Sequence, residues 1–406
     1  MLIFITHMNM INLLGIFFSA FVVAAIVVPV AIETAYKRRL FDVPTESRKV
    51  HKRIIPNLGG IAIFAGFMFT QQLFIRASMI PCINQILMCG TLLFMLGLKD
   101  DIVGLTPFKK FIAQFAAASI VAIIGDIRII DLNGIMGLYQ LSYPFSISLS
   151  VFAIVGIVNS FNLIDGVDGL AGCLGVVMTF MFAFLFYKAG ETGWCYLALA
   201  SAGSIIGFLL YNMPAARIFM GDSGSLLIGF LVVTMSIHFV NIAGKGTPVL
   251  GSIRVVSPHA LVLALLIIPL FDTLRVFTIR ILANTSPFKA DRNHLHHRLL
   301  AVGMSHLQVT ITLCLITVGF VALTLYLQKV GDNQLIATIM MIVFSLNTGF
   351  TLYLASVPRD PEAVLSAADT VSPPSAKGKR KGSPKQRNRL PREDFADEVI
   401  KKIYRN

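Results

Sequence analysis

Apolar runs of near-membrane length recur along almost all of this 406-residue chain, and few of them carry a polar face. A helix needs about 20 mostly apolar residues to cross the hydrocarbon layer, and it satisfies its own backbone polar groups there. The runs lie near 11–32, 58–76, 83–98, 111–125, 145–160, 170–187, 195–211, 225–242, 259–280, 308–328 and 334–356. The chain therefore reads as all-α: a polytopic integral membrane protein with about eleven transmembrane helices. Hydrophobic residues make up 56% and charged residues 14%, which excludes an ordinary soluble domain. A large soluble all-α protein would show amphipathic stripes instead. The first run lacks a small-residue cleavage site and reads as a retained span, not a signal peptide.

Lys and Arg fall unevenly on alternate connections. With the amino terminus outside, the inner segment 33–57 holds Lys37, Arg38, Arg39, Arg48, Lys49, Lys52 and Arg53, while the outer loops keep only scattered basic residues. This is the positive-inside bias. The net charge of +13 is mostly a topology signal and does not point to nucleic acid. Residues 1–356 form the expected membrane domain. Residues 357–406, rich in Lys and Arg among Ser, Pro and Gly, read as a disordered, solubilised cytoplasmic tail, with a tail held to anionic headgroups as the sharper alternative. Five cysteines (Cys82, Cys89, Cys173, Cys195 and Cys314) show no paired metal spacing and read as small buried apolar residues.

Four polar clusters interrupt the apolar pattern, all on the predicted cytoplasmic side. Lys99-Asp100-Asp101 closes the third run and is followed by Lys109 and Lys110. Adjacent carboxylates at a membrane edge must meet water, a metal or a basic partner. The two lysines supply cations suited to an anionic ligand near the headgroups, or anchors for the helix end. Asn159–Gly172 sets Asn162, Asp165 and Asp168 among three glycines, a pattern able to read a nucleotide edge or bind a cation. Tyr211–Ser225 contains Asn212 and places Asp222 between two glycines at a helix start. There N–H groups can hold phosphate while the acid holds a divalent ion. Asp291–Arg298 contributes His294, His296, His297 and Arg298, donors for sugar hydroxyls and diphosphate oxygens; no second Cys or His cluster completes a zinc site. His51, in the first basic segment with Lys49 and Lys52, joins these donors, whereas His238, His259 and His306 read as structural or incidental.

In this order the clusters resemble the polyprenyl-phosphate N-acetylhexosamine-1-phosphate transferase family. The resemblance runs from Arg48 to Arg298. It is carried by Pro56-Asn-Leu-Gly-Gly60, Asp100-Asp101, Asn162-Leu-Ile-Asp165-Gly-Val-Asp168-Gly, Phe219-Met-Gly-Asp222-Ser-Gly-Ser and His294-Leu-His-His297. It implies transfer of a sugar 1-phosphate from a UDP-N-acetylhexosamine to undecaprenyl phosphate, with release of UMP, at the cytoplasmic face of a bacterial inner membrane. Mg²⁺ is the expected ion, with Mn²⁺ as a substitute. The last motif resembles the branch that uses UDP-GlcNAc to start cell-envelope polysaccharides. The peptidoglycan branch, using UDP-MurNAc-pentapeptide, carries a His-His-His-Phe-Glu type of run, which is absent after His297. The resemblance implies Asp222 and Asp165 as metal ligands and Asp100 and Asp101 as catalytic acids facing the phosphates. It implies that Asn162, Asp168 and Asn212 shape the nucleotide and metal pocket, and that His294, His296, His297 and Arg298 contact the sugar diphosphate. Lys49, His51, Lys109 and Lys110 carry over as binders of the lipid phosphate. The bilayer is a further partner, and a homodimer is compatible with the pattern. A secondary transporter, the main alternative of another class, would place its acids at mid-membrane in repeated halves.

Overall fold

The computed structural model describes residues 9–38, 40, 55–213, 215–244, 248–250, 253–286 and 293–356. Lys49, His51, Asp291, Arg292 and the expected tail lie outside the described residues. The chain divides into two compact units, Met1–Val343 and Phe344–Asn406, and the site described below belongs to the first.

In chain order the elements are α1 (Met10–Arg38), α2 (Gly59–Phe74), α3 (Ile83–Val103) and α4 (Pro107–Ile123), then the hairpin β1 (Asp131–Ile135) and β2 (Leu138–Gln140). There follow α5 (Tyr143–Ile164), α6 (Leu170–Ala189), α7 (Thr192–Asn212) and α8 (Gly221–Gly244), and a second hairpin of β3 (Pro248–Leu250) and β4 (Ile253–Arg254). The chain continues with α9 (Pro258–Leu265), α10 (Ile267–Leu282), α11 (Leu295–Ala301), α12 (His306–Leu327) and α13 (Asp332–Ser356). Every expected apolar run is helical, the 259–280 run as α9 and α10 with a 73° bend between them. Among the described residues seven helices (α1, α5, α6, α7, α8, α12 and α13) are long and apolar enough to cross a membrane, and the bent pair makes eight. The architecture is all-α and polytopic; length and composition support seven or eight crossings and do not fix the number at eleven. The two hairpins were not foreseen. Asn333, at the start of α13, holds the first: its Nδ2 donates to Gly134 O at 2.9 Å and its Oδ1 accepts from Met136 N at 3.0 Å.

Helix starts follow the local chemistry. Pro occupies the first turn of α4, α5 and α9, where a missing N–H costs nothing. Gly104, at φ +77°, ends α3 in a conformation that L side chains avoid. All five cysteines are free thiols.

The most enclosed span is α8, with 83% of its central window buried, against 22% for α1. Helix α8 packs against α3, α5 and α2, while α1 packs against α7 and α2 and turns its other side outward. Burial of α8 at the centre matters because its first turn opens into the site. The α1–α7 contact is close: a Cβ on Gly203 would lie 2.4 Å from Phe17 O, and one on Gly207 2.5 Å from Phe21 O. Between membrane helices such small-residue packing replaces the hydrophobic drive that water supplies elsewhere. Gly207→Val should therefore destabilise the bundle by about 1–3 kcal/mol, the usual scale for overpacking. Thermal unfolding in detergent would show it, with Gly156→Val, where an added Cβ meets nothing within 4 Å, expected to change little.

Candidate active site

Two chain segments remote in sequence are laced together by backbone bonds. Phe219 N donates to Pro56 O at 2.8 Å, Gly59 N to Phe219 O at 2.9 Å and Gly60 N to Met220 O at 2.9 Å. The lacing sets the start of α2 beside the start of α8. The end of α3 closes the third side, and two glycines permit it. A Cβ on Gly97 would fall 2.4 Å from Ser223 N, and Gly221, at φ +73°, would press one to 2.4 Å from Asn57 O.

Asp101 caps α8 from across this junction. Its Oδ1 accepts from Asp222 N at 2.8 Å; its Oδ2 accepts from Ser223 N at 3.0 Å and Ser223 Oγ at 2.7 Å. A carboxylate is well placed there, since the first-turn N–H groups of a helix lack partners and carry partial positive charge. The sequence suggested that these donors would be open to phosphate; two of them are instead taken by Asp101.

Around that clasp the remaining groups converge. Lys110 Nζ bridges Asp222 Oδ2 and Asp100 Oδ2, the latter at 2.7 Å. Asp100 Oδ1 accepts from Leu105 N at 2.5 Å. Asn162 Nδ2 donates to Asp222 Oδ1 at 2.7 Å and reaches Ser225 Oγ at 3.0 Å. Lys110 thus lies among the acids, while its neighbour Lys109 is exposed. One turn further along α4, Gln114 pairs with Asn159 of α5 at 2.6 Å and carries the polar seam into the bundle.

The loop 165–169 joins this array. Burial, reinforced by the charges of Asp222, Asp101 and Asp168, pushes the Asp165 carboxyl up to about 8. Asp168 and Asn212 hold the loop. Asp168 Oδ2 accepts from Ala216 N at 3.2 Å and faces His306 Nδ1 at 3.4 Å. Asn212 accepts from Gly169 N at 2.7 Å and donates to Ile218 O at 2.8 Å. Both are buried, so they shape any pocket by tying its walls together.

The histidine cluster stands against the same loop. His294 and His296 are buried and stack with rings 11° apart, and His297 follows 4.4 Å from His296. Burial, with His297 nearby, pushes the His296 ring down to about 3, which keeps it neutral. Among the described residues its Nδ1 is buried without a hydrogen-bond partner, an orphan of the kind that a bound ligand satisfies. Arg298 is partly exposed at the rim. Asp272 of α10 bonds His294 Nδ1 at 2.8 Å and Leu295 N at 2.7 Å. It was overlooked in the sequence, although an acid inside an apolar run is itself a signal. Gln114 was missed too; its spacing of four from Lys110 on one helix face was the available clue.

Among the described residues no three His, Cys, Asp or Glu side chains stand ready to cage a metal ion. The donor set still suits Mg²⁺, which is usually held by one or two carboxylates together with substrate phosphates. Asp222 and Asp100 already share one cation, the Lys110 ammonium.

Comparison with known proteins gives the same direction. Residues 83–240 match glycosyl transferase family 4. The chain is 33% identical over 302 residues to a decaprenyl-phosphate N-acetylglucosaminephosphotransferase of Mycobacterium leprae, covering 68% of this chain and 73% of that protein. It is 32% identical over 323 residues to a probable undecaprenyl-phosphate N-acetylglucosaminyl 1-phosphate transferase of Bacillus subtilis, covering 77% and 84%. A Salmonella typhi undecaprenyl-phosphate alpha-N-acetylglucosaminyl 1-phosphate transferase is 28% identical over 349 residues, covering 84% and 91%.

The raised Asp165 value has a testable sign. Its folded-state value of about 8 exceeds the ordinary one of about 4. The folded state therefore holds the proton more tightly, and this contribution is complete below about pH 4 and lost as pH rises towards about 8. In chelator, thermal stability should fall across that window, and Asp165→Asn should flatten the fall. An equally steep fall in the variant would remove Asp165 as its source.

Proposed function

The chain belongs to glycosyl transferase family 4, and we propose that it transfers N-acetylglucosamine 1-phosphate from UDP-N-acetylglucosamine to undecaprenyl phosphate, releasing UMP. The observation that carries this reading is the junction of Lys110, Asp100, Asp222 and Asn162 at one end of a bundle of membrane-length helices. Polyprenyl phosphates present their phosphate at such a boundary. The relatives are named for a polyprenyl-phosphate acceptor and an N-acetylglucosaminyl group, which supports both substrates here. We place the site at the cytoplasmic face of a bacterial inner membrane, on the positive-inside bias of the sequence.

The acceptor needs little activation. A phosphate monoester has a second pKa of about 6, so it is largely dianionic at neutral pH. The harder step is bringing one anion to another. Asp222 and Asp100 would hold Mg²⁺, which would supply charge neutralisation for the diphosphate and the departing UMP. Lys110 contributes a positive charge to the same oxygens. Asn162 fixes the Asp222 carboxylate by donating to its Oδ1. His294, His296, His297 and Arg298 supply ring and guanidinium groups for the sugar diphosphate, with the orphaned His296 Nδ1 as one contact. The acceptor oxygen attacks the sugar-bearing phosphorus in line; that P–O bond forms as the bond to the UMP oxygen breaks.

Direct attack fits the acids better than a covalent aspartyl intermediate does. Both oxygens of Asp101 are committed to α8, and both oxygens of Asp100 are already bonded. Asp101 is a positioning residue in this reading. A stoichiometric burst of UMP in the absence of acceptor would favour the covalent route.

Purified protein in lipid with Mg²⁺ and undecaprenyl phosphate should release UMP from UDP-GlcNAc, and not from UDP-GalNAc or UDP-MurNAc-pentapeptide. No UMP from any donor overturns the proposal. Asp222→Asn should lower turnover by about two orders of magnitude or more, the scale of a lost transition-state stabiliser, while leaving the protein folded. Near-normal turnover would take Asp222 out of the reaction.

A further inference from the structure

Asp272 lies in the apolar stretch Ile267-Ile-Pro-Leu-Phe-Asp272 and is 2% exposed. A carboxylate there is costly unless it is paired and hydrogen-bonded. Both of its oxygens leave α10 to find partners. Oδ1 accepts the Leu295 N–H at 2.7 Å, capping α11, and Oδ2 meets His294 Nδ1 at 2.8 Å. An ionised carboxylate only accepts, so Nδ1 of His294 carries the hydrogen, and Nε2 is the ring nitrogen that Asp272 does not engage.

The consequences pass outward through contact. The His294 ring lies 5.6 Å from that of His296 and nearly parallel to it. His296 in turn rests on the 165–169 loop: a Cβ on Gly166 would come 2.5 Å from His296 Nε2. Helix α10 also packs on α5, whose end carries Asn162.

We propose that Asp272 is a positioning residue for the transfer reaction, fixing His294 in its Nδ1–H tautomer and seating the α11 histidines against the 165–169 loop so that they meet the sugar diphosphate. The proposal rests on the transferase reading above. A purely structural Asp272 would fill volume and cap α11 without caring which nitrogen of His294 bears the proton.

Asp272→Asn separates the two. The amide oxygen can still cap Leu295 N, but its NH₂ group then faces His294 Nδ1 and drives the hydrogen to Nε2. ¹⁵N-histidine NMR of the full chain in nanodiscs, with His294 assigned from its loss in His294→Gln, should show Nδ1–H in the wild type and Nε2–H in Asp272→Asn. The same variant should lose about tenfold or more in kcat/KM, as expected when a reactive imidazole is held in the wrong tautomer. In the His294→Gln background the substitution should cost less than about twofold, because the residue through which it acts is gone. Wild-type kcat/KM in Asp272→Asn, additive losses in the double variant, or an Nε2–H wild-type His294 would each overturn the proposal. Should Asp272→Asn fail to fold, the wild-type spectrum alone decides. Wild-type protein that releases no UMP defeats the transferase reading; an active wild type with additive losses defeats only the role of Asp272.

Discussion

Three hydrogen bonds accepted by Asp101 hold the first turn of α8, and the position of the other acids follows from them. A helix that begins at a membrane edge presents unpaired N–H groups where little water reaches, and a neighbouring carboxylate is the strongest partner for them. With that turn fixed, Asp222 reaches Lys110 of α4 and Asn162 of α5. The partners of the clasp are 121 residues apart in the chain, so the site exists only when the bundle has closed. Gly97 makes the approach possible, since any side chain there would displace Ser223.

Charge is the second constraint. Asp100, Asp101, Asp165 and Asp222 share one corner of a mostly apolar molecule, and Lys110 bridges two of them. The imbalance appears at Asp165, whose proton is held up to about 8 by burial and by its neighbours' charges. Asp272 and His294 form a separate, buried polar pair. The first group is left with unbalanced negative charge, whereas both oxygens of Asp272 are bonded.

Much of this was legible in the sequence because lipid makes polar residues conspicuous. The four clusters stood out against the apolar runs, and Asp100, Asp222 and Asn162 do meet. Helix length and class followed from the same contrast. Pairing did not follow. Asp101 read as a catalytic acid facing phosphate, yet its bonds run to backbone N–H groups that no local pattern reveals. Lys110 read as a headgroup contact, because a lysine at a helix start looks the same whether it faces lipid or an acid. Asp168 and Asn212 read as pocket residues, but the sequence did not reveal the loop bonds by which they would shape a pocket. Asp272 was hidden by its setting: one acid in an otherwise convincing span was averaged away. The β1–β2 hairpin was missed because its strands are short and the contacts holding its turn come from Asn333, almost 200 residues on.

The bridging ammonium of Lys110 has a consequence for ion selectivity. A tethered cation competes at a high effective concentration that does not vary with the surrounding solution. Any ion entering between Asp100 and Asp222 takes part in an exchange with that side chain and does not fill an empty place. A monovalent ion offers no gain in charge over the group it displaces, and it must also give up its own hydration. A divalent ion would bring one extra charge and, under the proposed function, would free the ammonium to turn towards a phosphate. Discrimination against the abundant potassium and sodium of a cell can thus be achieved without a cavity sized to any ion.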